Sequence, residues 1–523
     1  MRVLRGVLGG LLAVLGLLVT IVGAGAAFWL IGPDDTVYSG EQHLAVQGRA
    51  LVTSPTLIDQ HGPTLHVRAR SLDGKPVFLG VGRNFDVASY IGTYAHTSVV
   101  QVKYPVAFST EAHTGPTTPL PVPVGLDWWL AQTAGPGKQS LAWPIQDGPY
   151  QAVVMPADGG SPVDVQLEFG IEIPHAFLAA LTVLLIGLAL LALSWRTLRR
   201  RPRAAPEEEA APKQHVKAGA ALPMVAVLTL ATGCSGLPEQ NTVSALSRPA
   251  VTADTAKQIL TRYDEVAAKA ARTRDLKSIS TVEGDTRLDQ TRGAYQAATA
   301  QNGPAAPPDV FAQAVVAAPT YGSYPMLFAA AGKSLGLWNR RSAGEPWLLA
   351  LAAPVGAGAK VPSIAGAREA NSDATAATAA RFAEYVNEGL KSPKAKTFTI
   401  SPEVASLLAN RAGRKASAAR QPMIVSLGDQ FSVTARPSTL QTTSGEALAF
   451  FNLTESQVTA TDCSAPIHWR EGAETLFSPA SRGYRCGLTA STLHSVVLAI
   501  PAKGKGNPRV VAFTSQVLKA GGY

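Results

Sequence analysis

Cysteine is scarce in this chain: three occur among 523 residues. Cys463 and Cys486 have His468 between them, and two cysteines with one histidine make no convincing zinc site. Neither HExxH, nor a nucleophile elbow, nor a paired metal motif is read from the chain. Gly332-Lys333-Ser334 has the ending of a P-loop, but Leu327 stands where the first glycine is required. Gly80-Val81-Gly82 is too little for a nucleotide loop. These absences leave no catalytic motif, and no cofactor is expected.

Charge is missing from two long stretches. Gly6 to Gly32 follows Arg2 and Arg5 and exceeds the about 20 apolar residues that span a bilayer. Phe28 and Trp29 fall where an interfacial aromatic belt sits. The alternative is a cleaved signal peptide with Ala24-Gly25-Ala26 as its site. The apolar core exceeds the about 7–15 residues of such a signal. Ala176 to Trp195 is also uncharged, and Arg196, Arg199, Arg200, Arg201 and Arg203 follow it. Basic residues thus flank the outer ends of both stretches, which puts those ends in the cytosol. Residues 1–32 and 176–195 are expected as transmembrane helices, with 33–175 extracytoplasmic between them.

Residues 196–217 read as a basic cytosolic linker, where Pro202 and Pro206 argue against packed structure. Residues 218–234 are apolar, contain Pro223 and are short for a span. They end in Leu230-Ala231-Thr232-Gly233-Cys234, which resembles a bacterial lipobox. The resemblance implies a lipid thioether on Cys234 and cleavage before it. Ala231 occupies the place where the pattern prefers leucine. A third membrane helix with an incidental cysteine is the alternative. Both readings put 235–523 outside the membrane. An even cysteine pair in an oxidising compartment predicts a Cys463–Cys486 disulfide, with two buried thiols as the alternative.

Charge separates the two large parts. Residues 33–175 carry 7 Lys+Arg against 13 Asp+Glu, whereas 235–523 carry a net +9. A basic domain outside the membrane would meet anionic lipids or wall polymers rather than nucleic acid, which the compartment disfavours; the alternative is a solvated surface with no specific partner. Its densest stretch is Lys391, Lys394, Lys396, Arg411, Arg414, Lys415 and Arg420. That stretch reads as a solvated surface or as an anionic docking patch.

Residues 33–175 read as an all-β sandwich. Leu65-His66-Val67-Arg68-Ala69-Arg70 alternates with period two, Asp73-Gly74 turns, and Pro76 to Val81 returns. Further short strands with turn signals between them follow. Trp128 and Trp129 would face opposite sides of a strand, one in the core and one available as a sugar platform. Asp147-Gly148-Pro149-Tyr150 through Gly159, with Lys75 through Gly82, resembles ectodomains of uncharacterised actinobacterial membrane proteins. That resemblance implies a β-rich ectodomain before a helix and brings no activity.

Residues 235–251 read as a tether. Then Thr252-Ala253-Asp254 opens a helix with Ile259, Tyr263, Val266 and Ala270 on one face. Ser372-Asp373 opens a second, with Ala379, Phe382, Val386 and Leu390. A β-rich stretch follows each helix. Two α+β units, 252–365 and 366–523, are expected, Tyr263 matching Phe382. This order resembles tandem cystatin or NTF2-like domains, a likeness of fold that identifies no function. The whole is expected as a multidomain, multi-pass, membrane-anchored envelope protein. Its expected role is noncatalytic binding or scaffolding against the lipid bilayer. Small-molecule or wall-polymer binding in an α+β pocket is the runner-up, and an extracytoplasmic hydrolase comes third.

Overall fold

The computed structural model describes residues 2–46, 48–58, 63–103, 107–160, 162–199, 246–370, 373–479, 481–502 and 504–523. It divides into two compact units, Met1–Leu246 and Ser247–Tyr523.

In the first unit, α1 is Arg2–Gly25, continued by a π-helical turn over Ala26–Ile31; α2 is Asn84–Ile91 and α3 is Ala176–Arg199. Gly6–Ile31 and Ala176–Arg199 are each long and apolar enough to cross a membrane. α3 outruns the expected end at Trp195, and the Arg199 guanidinium lies 3.7 Å over that indole. The two helices pack through small residues at heptad spacing. A Cβ on Gly9, Gly16 or Gly23 would come within 3.0 Å of Leu198, Leu191 or Leu184. Gly187 meets Thr20 as closely, and Ser194 Oγ donates to the Gly9 carbonyl at 2.7 Å. Small residues let the two backbones approach closely enough for such contacts.

The strands of this unit are β1 Thr36–Tyr38, β2 Gln42–Val46, β3 Leu51–Thr53, β4 Thr64–Ser71, β5 Val77–Arg83, β6 His96–Lys103, β7 Ala107–His113, β8 Ala131–Gly135, β9 Lys138–Pro144, β10 Tyr150–Pro156 and β11 Val163–Glu172. One sheet runs β1-β11-β4-β9, with β2 also on β11; the other runs β7-β6-β3-β10-β5-β8. Their inner faces share one core, Leu65, Val67 and Leu167 from the first meeting Leu79, Val81 and Val154 from the second. The alternation read in β4 is the cause: Leu65, Val67 and Ala69 are buried while Arg70 is exposed.

Two features depart from the all-β expectation. α2 intervenes between β5 and β6, and β3 pairs with β6 in parallel. The tryptophan expectation is also corrected. Trp128 and Trp129 sit in a loop, so strand alternation does not apply to them. Both are buried, with ring centroids 3.9 Å apart, and neither is a platform. A Cβ on Gly80 would lie 2.7 Å from Trp129, and one on Gly82 2.7 Å from Trp128. Those glycines clear the sheet face that the indoles fill.

In the second unit the helices are α4 Ala253–Thr273, α5 Leu276–Ile279, α6 Asp285–Ala300, α7 Asp373–Glu388 and α8 Pro402–Ala418. The strands are β12 Arg248–Pro249, β13 Val315–Ala317, β14 Thr320–Tyr321, β15 Met326–Ala331, β16 Ser334–Arg340, β17 Leu348–Pro354, β18 Arg368–Glu369, β19 Ile424–Val433, β20 Ser438–Gln441, β21 Ala447–Thr461, β22 Gly487–Ile500 and β23 Arg509–Gly522. β13-β15-β16-β17 make one antiparallel sheet. β18-β20-β21-β22-β23, with β19 on β21, make the larger one.

Thr252 caps α4 by accepting from the Thr255 amide at 3.2 Å. The buried stripe of α4 is Leu260, Tyr263, Ala267 and Ala270; Ile259 and Val266 are only half-buried. Tyr263 packs edge-on to Phe311 and Trp338. On α7, Ala379, Phe382 and Val386 are buried with Phe451, Leu453 and Val496. Leu390 lies past the helix end and is exposed. The opposite sheet faces meet each other: Ala329, Leu335 and Leu351 share a core with Leu448, Val497 and Val511. Ile364 and Ala367 belong to that same core. A boundary at 365/366 therefore runs through shared packing, although the second half also has a core of its own beneath α7.

Candidate functional site

Two polar clusters lie within residues 247–523. The first begins at Glu283, just before α6. Backbone bonds clamp this turn to β17: Leu349 N–H donates to Val282 O at 2.9 Å, and Gly284 N–H to Leu349 O at 3.0 Å. Arg287 and Thr291 stand one turn apart on a face of α6, and Glu283, outside the helix, is brought against that face by the turn. The Tyr263 hydroxyl donates to Glu283 Oε1 at 3.0 Å, Arg287 Nε donates to the same oxygen at 3.1 Å, and Thr291 donates to Oε2 at 2.5 Å. Arg287 Nη2 lies 3.1 Å from Asp309 Oδ2, and Ser334 Oγ donates to Asp309 Oδ1. Every carboxylate oxygen of the cluster is thus engaged.

Burial pushes the Tyr263 phenol well above its ordinary value. For Arg287, burial works against the charge, but Tyr263, Glu283 and Asp309 outweigh it and hold the guanidinium above its ordinary value. Tyr295, on the same helix, is pushed up to about 12, by burial first and then by Glu283. A cavity of about 320 Å³ opens beside the cluster, lined by Glu283, Arg287, Thr291 and Tyr295 on one side and by Ser515 and Gln516 of β23 on the other.

The second cluster spans three neighbouring strands. His494 of β22 lies directly across from Ser515 of β23. Leu453 of β21 lies across from His494, so Glu455 is its diagonal neighbour. Ser515 Oγ is 2.7 Å from His494 Nδ1, and His494 Nε2 is 3.2 Å from Glu455 Oε2. The carboxylate accepts from Nε2–H, which leaves the Nδ1 lone pair facing the serine hydroxyl. His494 and Glu455 are buried, whereas Ser515 is exposed. Phe431 and Phe513 flank the imidazole, at ring centroid distances of 5.4 and 5.8 Å. Behind it, Arg414 donates to Glu455 Oε1 at 2.5 Å.

Residues 247–522 match the family model described as "Domain of unknown function (DUF8094)". The chain belongs to the DUF8094 family. No curated protein matches the chain.

Within the DUF8094 region, Cys463 and Cys486 lie at disulfide distance, their Cα atoms 4.4 Å apart. Cys234, the expected lipidation site, lies outside the described residues, as do nearly all of the expected linker and the whole of segment 218–234. Part of the basic stretch is tied to carboxylates, while Lys391, Lys396 and Arg420 are exposed. Arg411 is buried and pairs with Asp429 at 2.6 Å; Lys415 and Arg414 approach the same carboxylate at 3.3 and 3.8 Å. Lys394 pairs with Glu384 and Glu388. Burial alone would push Asp429 up, but Arg411 and Lys415 outweigh it and hold the carboxyl below its ordinary value.

Against the expectation of no elbow, Gly332-Lys333-Ser334-Leu335-Gly336 does match GxSxG in letters. Ser334 opens β16 in a hairpin, with no helix after it, and its hydroxyl is given to Asp309. It lacks the strand-to-helix turn that exposes such a nucleophile. The Glu283, Arg287, Thr291 spacing was the one sequence signal for the first cluster. The second carries none, because its residues meet only through strand register.

Proposed function

We propose that the chain is a membrane-tethered cell-envelope protein whose DUF8094 region binds a small polar ligand in the cavity beside Glu283. The cavity is the observation that carries this reading. Its 320 Å³ is at the small end of ligand pockets, about 300–1,000 Å³. The charged groups on its wall are already fixed by one another, so binding need not order them. Glu283 and Asp309 against Arg287 leave an excess of one negative charge. A ligand with hydroxyls and one positive charge, such as an amino sugar, complements that wall, and Tyr295 supplies a ring face.

The tether is the α1–α3 hairpin. Arginines outside both apolar helices favour cytosolic ends and an extracytoplasmic 33–175. Acylation of Cys234 would hold 235–523 at the outer face as well. Within that basic stretch, Lys391, Lys396 and Arg420 are exposed basic groups open to anionic lipids or wall polymers.

Thermal unfolding of the full chain in detergent, with glucosamine, glucose or glucuronic acid added, tests the cavity. Glucosamine should stabilise most and glucuronic acid least, and Tyr295→Ala should abolish the difference. No shift, or greatest stabilisation by the acid, removes the reading. Mass spectrometry of membrane fractions tests the lipid: a diacylated N-terminal Cys234 peptide is expected. A single full-length species unchanged by Cys234→Ala counts against it.

A further inference from the structure

We propose that Ser515 is an activated nucleophile, with His494 as its general base, and that the DUF8094 region thereby cleaves carboxylic esters. This goes beyond ligand binding and rests on different residues from the Glu283 cluster. A serine hydroxyl is a weak nucleophile by itself and needs a base within about 2.6–3.2 Å. The 2.7 Å contact to His494 Nδ1 and the 3.2 Å contact from His494 Nε2 to Glu455 meet both requirements of such a relay. The relay is also directional. Its base and carboxylate are buried, aromatic rings flank the imidazole, and its hydroxyl is exposed on the face of β23 opposite Gln516, whose side chain faces α6 and the cavity. The Glu283 cluster closes on itself by contrast, and offers no such hydroxyl.

The chemistry balances without a cofactor. Ser515 Oγ attacks the ester carbonyl carbon, forming a C–O bond as its proton passes to His494 Nδ1. The carbonyl electron pair moves to oxygen and then returns, breaking the bond to the alkoxy group. That group leaves with the proton from His494. Water attacks the acyl-serine in the same way, and the proton returns to Ser515, so ester and water give acid and alcohol. β23 ends its sheet, so alternate amides along it point away from β22. Backbone N–H groups of that kind stabilise a developing oxyanion. Glu455 and Arg414 are positioning residues: the first orients the ring and the second compensates its buried charge.

The test treats the full chain in detergent micelles with a fluorophosphonate and maps the adduct by mass spectrometry. One adduct on the Ser515 peptide, absent from Ser515→Ala, is expected. His494→Gln should slow labelling by about 100-fold, the low end for a lost general base. Glu455→Gln should slow it less, with Glu455→Asp restoring part of the rate. No adduct on the folded wild type, or an adduct that survives Ser515→Ala, overturns the proposal. An unchanged rate in folded His494→Gln overturns the base assignment. Sugar-dependent stabilisation that persists in Ser515→Ala separates this outcome from failure of the cavity reading.

Discussion

The two units bury ionisable groups very differently. Among the described residues, the first unit buries one charged side chain, Asp86, besides its apolar core. The second buries Arg248, Glu283, Arg340, Arg411, Asp429, Glu455 and His494. Both units solve the same packing problem, two sheets face to face, so packing does not require the extra charges. Buried ion pairs add little net stability over apolar residues of equal size, yet breaking one is costly. The charges are therefore best read as positioned for a task, and the fold is committed to keeping them paired.

Removing one partner tests that commitment most strongly. Glu283→Leu leaves Arg287 with Asp309 alone, strands the Tyr263 and Thr291 hydroxyls, and should cost about 3 kcal/mol in denaturant unfolding of the second unit. A loss below about 1 kcal/mol would erase the contrast between the units. Asp429→Asn should cost about 3 kcal/mol at neutral pH. Its folded carboxyl is held below the ordinary 3.8. The contribution is thus present above 3.8 and is lost as pH falls through the lower folded value. Wild type and Asp429→Asn should converge in stability under acid; a constant gap would show that the charge is not the cause.

Replacing Cys463 and Cys486 together with alanine should cost about 3 kcal/mol on the chain-entropy model. The loop they close spans a sequence separation of 23. Quantitative alkylation of both thiols in unreduced protein would remove the basis for that figure. In the first unit, Gly82→Ala should cost about 1–3 kcal/mol by overpacking. Its Cβ would meet Trp128 at 2.7 Å, and no charge is involved. A neutral outcome would mean the tryptophan loop is free to shift.

The sequence carried the parts that local pattern determines. The two apolar helices, the β4 alternation and the Thr252 cap all follow from spacing of residue types. Long-range pairing was not legible. Trp128 and Trp129 are both buried in a loop, and nothing local in the sequence shows that Gly80 and Gly82 make room for them. Arg411, Arg414 and Lys415 look like a solvated charge run until Asp429 and Glu455 are brought beneath them by β19 and β21. Glu455, His494 and Ser515 are far apart in the chain and meet only because three strands adopt one register.

The smallest expected effect on stability decides most about that last group. Ser515→Ala should change unfolding free energy by no more than about 0.5 kcal/mol, as for an ordinary exposed position. The hydroxyl is exposed, so water can replace it at His494 Nδ1. If Ser515 instead anchored the fold, its loss would strand a buried imidazole nitrogen at about 1–3 kcal/mol. Denaturation midpoints measured alongside labelling separate the two roles. Stability retained with labelling lost marks a hydroxyl kept for chemistry, while both lost together marks a structural hydrogen bond in an otherwise paired network.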